Sequence, residues 1–219
     1  MRFGVCMPIE QAEFIAKLGF DYLEVSVVGL AEMTEAQFAD FLQKNEAAPI
    51  HAEAANCMFP GSIKLTGDNV DFEAIQTYVN HAIGRLAQAG IKIGVFGSGG
   101  SRRVPENFPR EKAWEQLKTV AKILGDAGEK YGVTIALEPL RHEETNIFTM
   151  QPEALKFVKE VNHPHFKLLC DYYHLISENG TVVVKKSRHE KYLFLICFFK
   201  SRHEEYFCRS CFFKSGHGQ

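Results

Sequence analysis

The sequence predicts an α/β fold of parallel βα units, and three observations carry that prediction. One pattern recurs at residues 14–27, 83–97 and 123–139: an amphipathic helix runs into a glycine and then into an apolar strand. Each of those strands is rich in β-branched and large apolar residues, the composition of a strand covered on both faces. Polar residues then end or follow nearly every strand. Strands alternating with helices form parallel sheets. A chain of 219 residues, 46% hydrophobic, sustains one sizeable core.

The elements follow in order. "RFGVC" (2–6) reads as the first strand and 8–18 as the first helix. Gly19 suits the left-handed residue that ends a helix, as do Gly90 and Gly132 after later helices. The second strand lies in "FDYLEVSV", the third in "APIHAEA" (48–54), the fourth in "IKIGVFG", the fifth in "VTIALEP" and the sixth in "FKLLCD" (166–171). Helices are predicted over 34–45, 71–89, 109–131 and 152–161. In the longest, Asn107 is placed to cap, Pro109 sits in the first turn, and Ala113, Leu117, Val120, Ala121 and Leu124 form the apolar face.

Six units up to residue 178 permit a doubly wound open sheet or most of an eight-unit barrel. No G-x-G-x-x-G follows the first strand, where a nucleotide-binding sheet would carry one. Polar residues recur at strand ends instead: Glu24 within the second, Asn56 and Cys57 after the third, "GSGGSRR" after the fourth, Glu138 and Asp171 ending the fifth and sixth. In a barrel such ends converge on one mouth, where active sites lie. The expected architecture is therefore TIM-barrel-like, with about six βα units present and the last two missing or replaced.

The stretch "TIALEPLRHEETN" (134–146) begins as a buried strand and ends in charge. Glu138 and Asp171 would face each other across the mouth. Two carboxylates so placed repel unless a cation or a shared proton separates them. Hard oxygen ligands on rigid strand ends suit Mg²⁺ or Mn²⁺. His174, three residues after Asp171, joins as a ligand or a substrate donor. Either carboxylate alone reads equally well as the cap of the next helix; the pair on consecutive strands favours a site.

Composition excludes other classes. With 25 basic and 27 acidic residues no global basic field points to nucleic acid. No run approaches the ~20 apolar residues of a membrane helix. The start lacks the features of a signal peptide, and six scattered cysteines read as reduced thiols, so the expected location is cytoplasmic with no membrane partner.

"IALEPLRHEETN" and "LLCDYYHL", with "NCMFPG" (56–61) and "FGSGGSRRVPENF" (96–108), resemble strand-end motifs of the xylose-isomerase-like barrels. The resemblance is above all to the sugar phosphate isomerase/epimerase family, which includes the tagatose and psicose 3-epimerases, and it covers residues 1–178. It implies a metal-dependent isomerase or epimerase of a small sugar or sugar phosphate, working by proton transfer next to a carbonyl through an enediolate. It implies Glu138 and Asp171 as ligands of a divalent metal, Mn²⁺ or Mg²⁺, with Glu138 also the catalytic acid/base. Glu144 and His174 would contact substrate oxygens. Arg102 and Arg103, in a glycine-rich turn, would receive a phosphate or simply be solvated. The family's seventh-strand histidine and eighth-strand glutamate are not found. An endonuclease IV-type phosphodiester hydrolase, with His51 as one ligand, and an inactive truncated product are the alternatives.

Residues 179–219 form an atypical tail. "KSRHEKYLFLICFFK" (186–200) recurs as "KSRHEEYFCRSCFFK" (200–214), and residues 180–219 hold eight basic and three acidic residues against 17 and 24 elsewhere. This reads as a replaced segment rather than two βα units. Its Cys208-x-x-Cys211 with His203 and His217 is largely a product of repetition and weighs little for zinc. Its phenylalanines let it lie over the open sheet edges as a helix or hairpin, or stay loosely attached, with little expected gain in stability. A homo-oligomer is left open.

Overall fold

The computed structural model describes residues 2–178, 193–195 and 209–212. Six strands pair in parallel: β1 (Arg2–Cys6), β2 (Tyr22–Ser26), β3 (Ala52–Asn56), β4 (Ile93–Phe96), β5 (Thr134–Leu137) and β6 (Phe166–Asp171). They stand in sequence order across the sheet. A doubly wound sheet reverses its order at a switch point; this one does not. The six strands and their helices make a TIM-barrel-like half-barrel.

Helices α1 (Ala12–Lys17), α2 (Val27–Glu32), α3 (Glu35–Ala47), α4 (Phe72–Gln88), α5 (Gly99–Arg102), α6 (Arg110–Tyr131), α7 (Gln151–Val161) and α8 (Tyr172–Ser177) complete the units. The face predicted for α6 is the buried one: Ala113, Leu117, Val120, Ala121 and Leu124 are all sealed from solvent. Its N-cap is Pro109, not Asn107, which takes a left-handed φ of 63° in the preceding loop. Gly132, at φ 69°, ends the helix by donating its N–H to Gly128 O. Helices α2, α5 and α8 escape the sequence reading because six residues or fewer show no periodicity.

Strand β3 starts at residue 52, four residues later than its composition suggests. Asn45 is the reason: its buried side chain accepts from Ala52 N at 2.8 Å and donates to Ala89 O at 3.1 Å, holding the preceding residues in a turn. Asn56 therefore ends β3 instead of following it.

Two further strands flank the six. β7 (Leu193–Leu195) runs parallel beside β6, and β8 (Arg209–Phe212) runs antiparallel beside β1. A closed eight-unit barrel has a parallel strand beside β1. The last two units are thus replaced; the described part of the tail is two edge strands, and the rest of it, where a helix or hairpin is expected, lies outside the described residues. His203, Cys208 and His217 lie outside the described residues, as does most of the tandem repeat.

Aromatic packing fixes the layer that carries the site. Trp114 of α6 meets Phe157 of α7 edge-on at 5.1 Å, and Phe157 packs on Phe148 at 4.5 Å and on Phe166 of β6 at 6.2 Å. Phe148 belongs to the loop after β5. Four rings thereby anchor that loop to β6 and two helices, each pair contributing roughly 0.5–1.5 kcal/mol beyond area burial.

Candidate functional site

Glu138 stands one residue past β5, and its N–H still donates to Phe96 O at 3.1 Å. Pro139 then removes the next donor and turns the chain away. Room for the carboxylate comes from Gly97, after β4: a Cβ there would lie 2.5 Å from Glu138 Oε2. Asp171 ends β6 and is 1% exposed. Its Oδ1 accepts from Tyr173 N at 2.7 Å and so caps α8. Its Oδ2 faces His174 Nε2 at 3.8 Å. The capping role and the site role coexist on the two oxygens of one carboxylate.

His174, on α8, turns its other nitrogen to Glu144: Nδ1 lies 3.3 Å from Glu144 Oε2 without a hydrogen bond, and that oxygen accepts from Arg141 Nε at 3.1 Å. One ligand atom from each of Glu138, Asp171 and His174 lies within 4.8 Å of the others. Three of the residues expected at the mouth are thus brought together, and Glu144 adjoins them.

The electrostatics follow from that crowding. Desolvation, then the negative charge of Asp171, pushes the Glu138 carboxyl well above the usual carboxylate range, with Arg102 opposing. Desolvation lowers His174, opposed by Asp171 and Glu144. A neutral imidazole beside two carboxyl groups that resist sharing negative charge is a donor set that a divalent cation satisfies. The residues present therefore fit such an ion.

Arg102 does not serve as a phosphate receiver on an open turn. It is fully buried, and its guanidinium donates to Phe96 O at 3.1 Å and to Glu138 O at 2.8 Å. It lies against the rings of Phe96 and Phe148, at 5.7 and 5.6 Å. Burial lowers it to about 10, so it remains cationic at neutral pH. It locks the ends of β4 and β5 together directly behind the Glu138 carboxyl. Arg103 is exposed and donates to Glu143 O at 3.1 Å. His51 precedes β3 and so lies at the opposite end of that strand from the mouth; its Nδ1 contacts Asn45 O at 2.6 Å. It is no part of a histidine cluster there.

The far wall holds three groups with no role assigned from sequence. Glu24 of β2 is 2% exposed, and Asn56 Nδ2 donates to its Oε1 at 2.9 Å and to Cys6 Sγ at 3.4 Å. Desolvation holds the Glu24 carboxyl well above its ordinary range, with Cys6 and Glu138 adding to it. The signal was a lone glutamate inside the otherwise apolar "YLEVS".

Among the described residues no helix is long and apolar enough to cross a membrane. A half-barrel of parallel βα units that gathers two carboxyl groups and an imidazole at its strand ends defines an α/β-barrel protein with a metal-type donor set. The model of the xylose isomerase-like TIM barrel family matches residues 12–205, and the chain belongs to that family. It is 27% identical over 169 residues to L-ribulose 3-epimerase of Methylomonas sp. strain DH-1, covering 75% of this chain and 57% of that protein. It is 24% identical over 177 residues to D-psicose 3-epimerase of Agrobacterium fabrum, covering 77% and 59%. The chain thus spans less than three fifths of the length of these curated relatives. The crystal structure of D-psicose 3-epimerase with D-tagatose from Clostridium cellulolyticum H10 shares the fold at a TM-score of 0.69, with 20% identity, covering 80% of this chain and 61% of that one.

Proposed function

We infer that this chain carries the metal-binding half of a sugar isomerase or epimerase site, acting on a small ketose at the carbon beside its carbonyl. The convergence of Glu138, Asp171 and His174 at the mouth is the observation that carries the reading. The 3-epimerases among its relatives support the substrate class. Those three residues would hold a divalent cation, Mn²⁺ or Mg²⁺, which when bound supplies Lewis-acid polarisation of the substrate carbonyl.

The chain's own residues do the rest. Glu138 is the acid/base: held at the strand end, its carboxylate takes a proton from the substrate carbon and returns it. Arg102 fixes the Glu138 backbone, so the carboxylate is aimed by a rigid strand end. Glu144 and His174 offer an acceptor and a switchable donor or acceptor to the substrate hydroxyls. Strands β7 and β8, "LFL" and "RSCF", bring no histidine or carboxylate. Glu138 is the base that the described strand ends place beside the other two residues of the cluster, so the proton is expected to leave and return on one face.

The expected outcome in D₂O with Mn²⁺ is deuterium uptake at the carbon beside the ketose carbonyl, with little inversion, read by NMR. Glu138→Gln should lower that exchange by at least the 10²-fold typical of a lost acid/base. Equal exchange by the variant would remove Glu138 from the chemistry. Rapid inversion would show that a second base acts.

A further inference from the structure

The wall facing Glu138 is built from the ends of β1, β2 and β3. Cys6 and Glu24 are register partners, and Asn56 stands two residues beyond Ala54, the partner of Glu24. Strand side chains alternate, so all three share one face. Asn56 Nδ2 donates to Glu24 Oε1 and to Cys6 Sγ. An amide nitrogen has two hydrogens, and both are engaged. The hydrogen bonds of the amide to described residues run through Nδ2, and none of them uses Oδ1. Asn56 itself is half-buried. With both Nδ2 hydrogens engaged, Oδ1 is the polar atom the amide has left to offer at this strand end.

We propose that Asn56 binds substrate through Oδ1, accepting a hydrogen bond from a sugar hydroxyl remote from the carbonyl carbon, with Glu24 and Cys6 as positioning residues. This deepens the sugar reading of the site and rests on it. The carbonyl end belongs to the Glu138 cluster on the other wall, so Asn56 meets the remainder of the carbon chain. Burying a carboxyl within an apolar strand costs stability unless its hydrogen bonds are used, and here its carbonyl oxygen sets the orientation of the amide. A site built around a hydroxyl donor discriminates against an analogue without it, because the acceptor is then left unpaired.

The test reads binding rather than turnover. The Mn²⁺-loaded chain is titrated calorimetrically with a ketohexose and with analogues each lacking one hydroxyl, and Mn²⁺ binding is measured separately. Asn56→Ala should bind Mn²⁺ as the wild type does and the parent ketose about tenfold more weakly. One deoxy analogue should bind both proteins alike, naming the hydroxyl. Glu24→Gln keeps a neutral acceptor and should retain ketose affinity, whereas Glu24→Leu should reproduce the Asn56→Ala loss. If Glu24→Leu does not fold, Asn56→Ala and Glu24→Gln decide. Unchanged ketose affinity in Asn56→Ala overturns the substrate role, and a tenfold loss in Glu24→Gln overturns the positioning role. Wild-type protein that binds Mn²⁺ but no ketose overturns the sugar reading and this inference with it.

Discussion

The Glu138 carboxyl decides how the metal-free protein responds to pH. Its pKa in the folded state is raised above the ordinary carboxylate value by desolvation and by Asp171. A raised carboxyl contributes stability that is fully present below the unfolded pKa and is lost as pH rises through the folded pKa. With chelator present, the urea midpoint should therefore fall as pH climbs out of the carboxylate range near 4.3. Glu138→Gln removes the titrating group and should flatten that fall. His174, lowered in the folded state, acts in the opposite direction on the acid side, but it is common to both proteins and cancels in the comparison. Mn²⁺ should restore the wild type at the high-pH end, since a cation favours the ionised form. Parallel midpoint curves for the two proteins, or no effect of Mn²⁺, would mean that Glu138 is not held in this environment.

Elements show what a sequence discloses and what it hides. Glu138 and Asp171 were legible because each follows an apolar run in its own strand, so a local pattern places both at one end of the sheet. The fate of Arg102 was not. Its burial depends on Phe96 and on Phe148, 46 residues downstream in a loop anchored by α6 and α7. The Cys6–Glu24–Asn56 cluster joins three strands and leaves only a misplaced glutamate as a trace. Glycines within helices make the same point testably. Gly128 of α6 lies so close to the following strand that a Cβ would sit 2.6 Å from Val133 O, a backbone atom. Gly84 of α4 has only ordinary contact, with Tyr131 at 3.6 Å. Helix propensity alone favours alanine at both by about 1 kcal/mol. Gly84→Ala should raise the urea midpoint and Gly128→Ala should lower it, because the α6 backbone must move off β5. A stabilising Gly128→Ala would show that this close approach is absent.

At the scale of the whole molecule the question is what the edges of an unclosed barrel require. A complete barrel removes edges by closing on itself; six strands leave β1 and β6 with unpaired backbone groups. Strand β8 pairs with β1 over four residues, from Arg2↔Phe212 to Val5↔Arg209, and β7 pairs with β6 over three, from Leu169↔Leu193 to Asp171↔Leu195. The second pairing ends on Asp171 itself, so the edge strand also braces a residue of the candidate metal site. Composition suggested a tail that adds little, but ladders on both edges argue the reverse. Backbone hydrogen bonds contribute about 1 kcal/mol each in net terms, and whole domains are stable by only about 5–15 kcal/mol. A chain ending at residue 178 should therefore unfold at a clearly lower urea concentration. With two bare edges it should also self-associate as protein concentration rises, since open strands template further pairing. Sedimentation velocity over a concentration series, run beside the denaturation curves, measures both effects. Its Mn²⁺ affinity should fall as well, through the loosened end of β6. A shortened chain that stays monomeric with an unchanged midpoint and unchanged Mn²⁺ affinity would show that β7 and β8 rest on the sheet without supporting it.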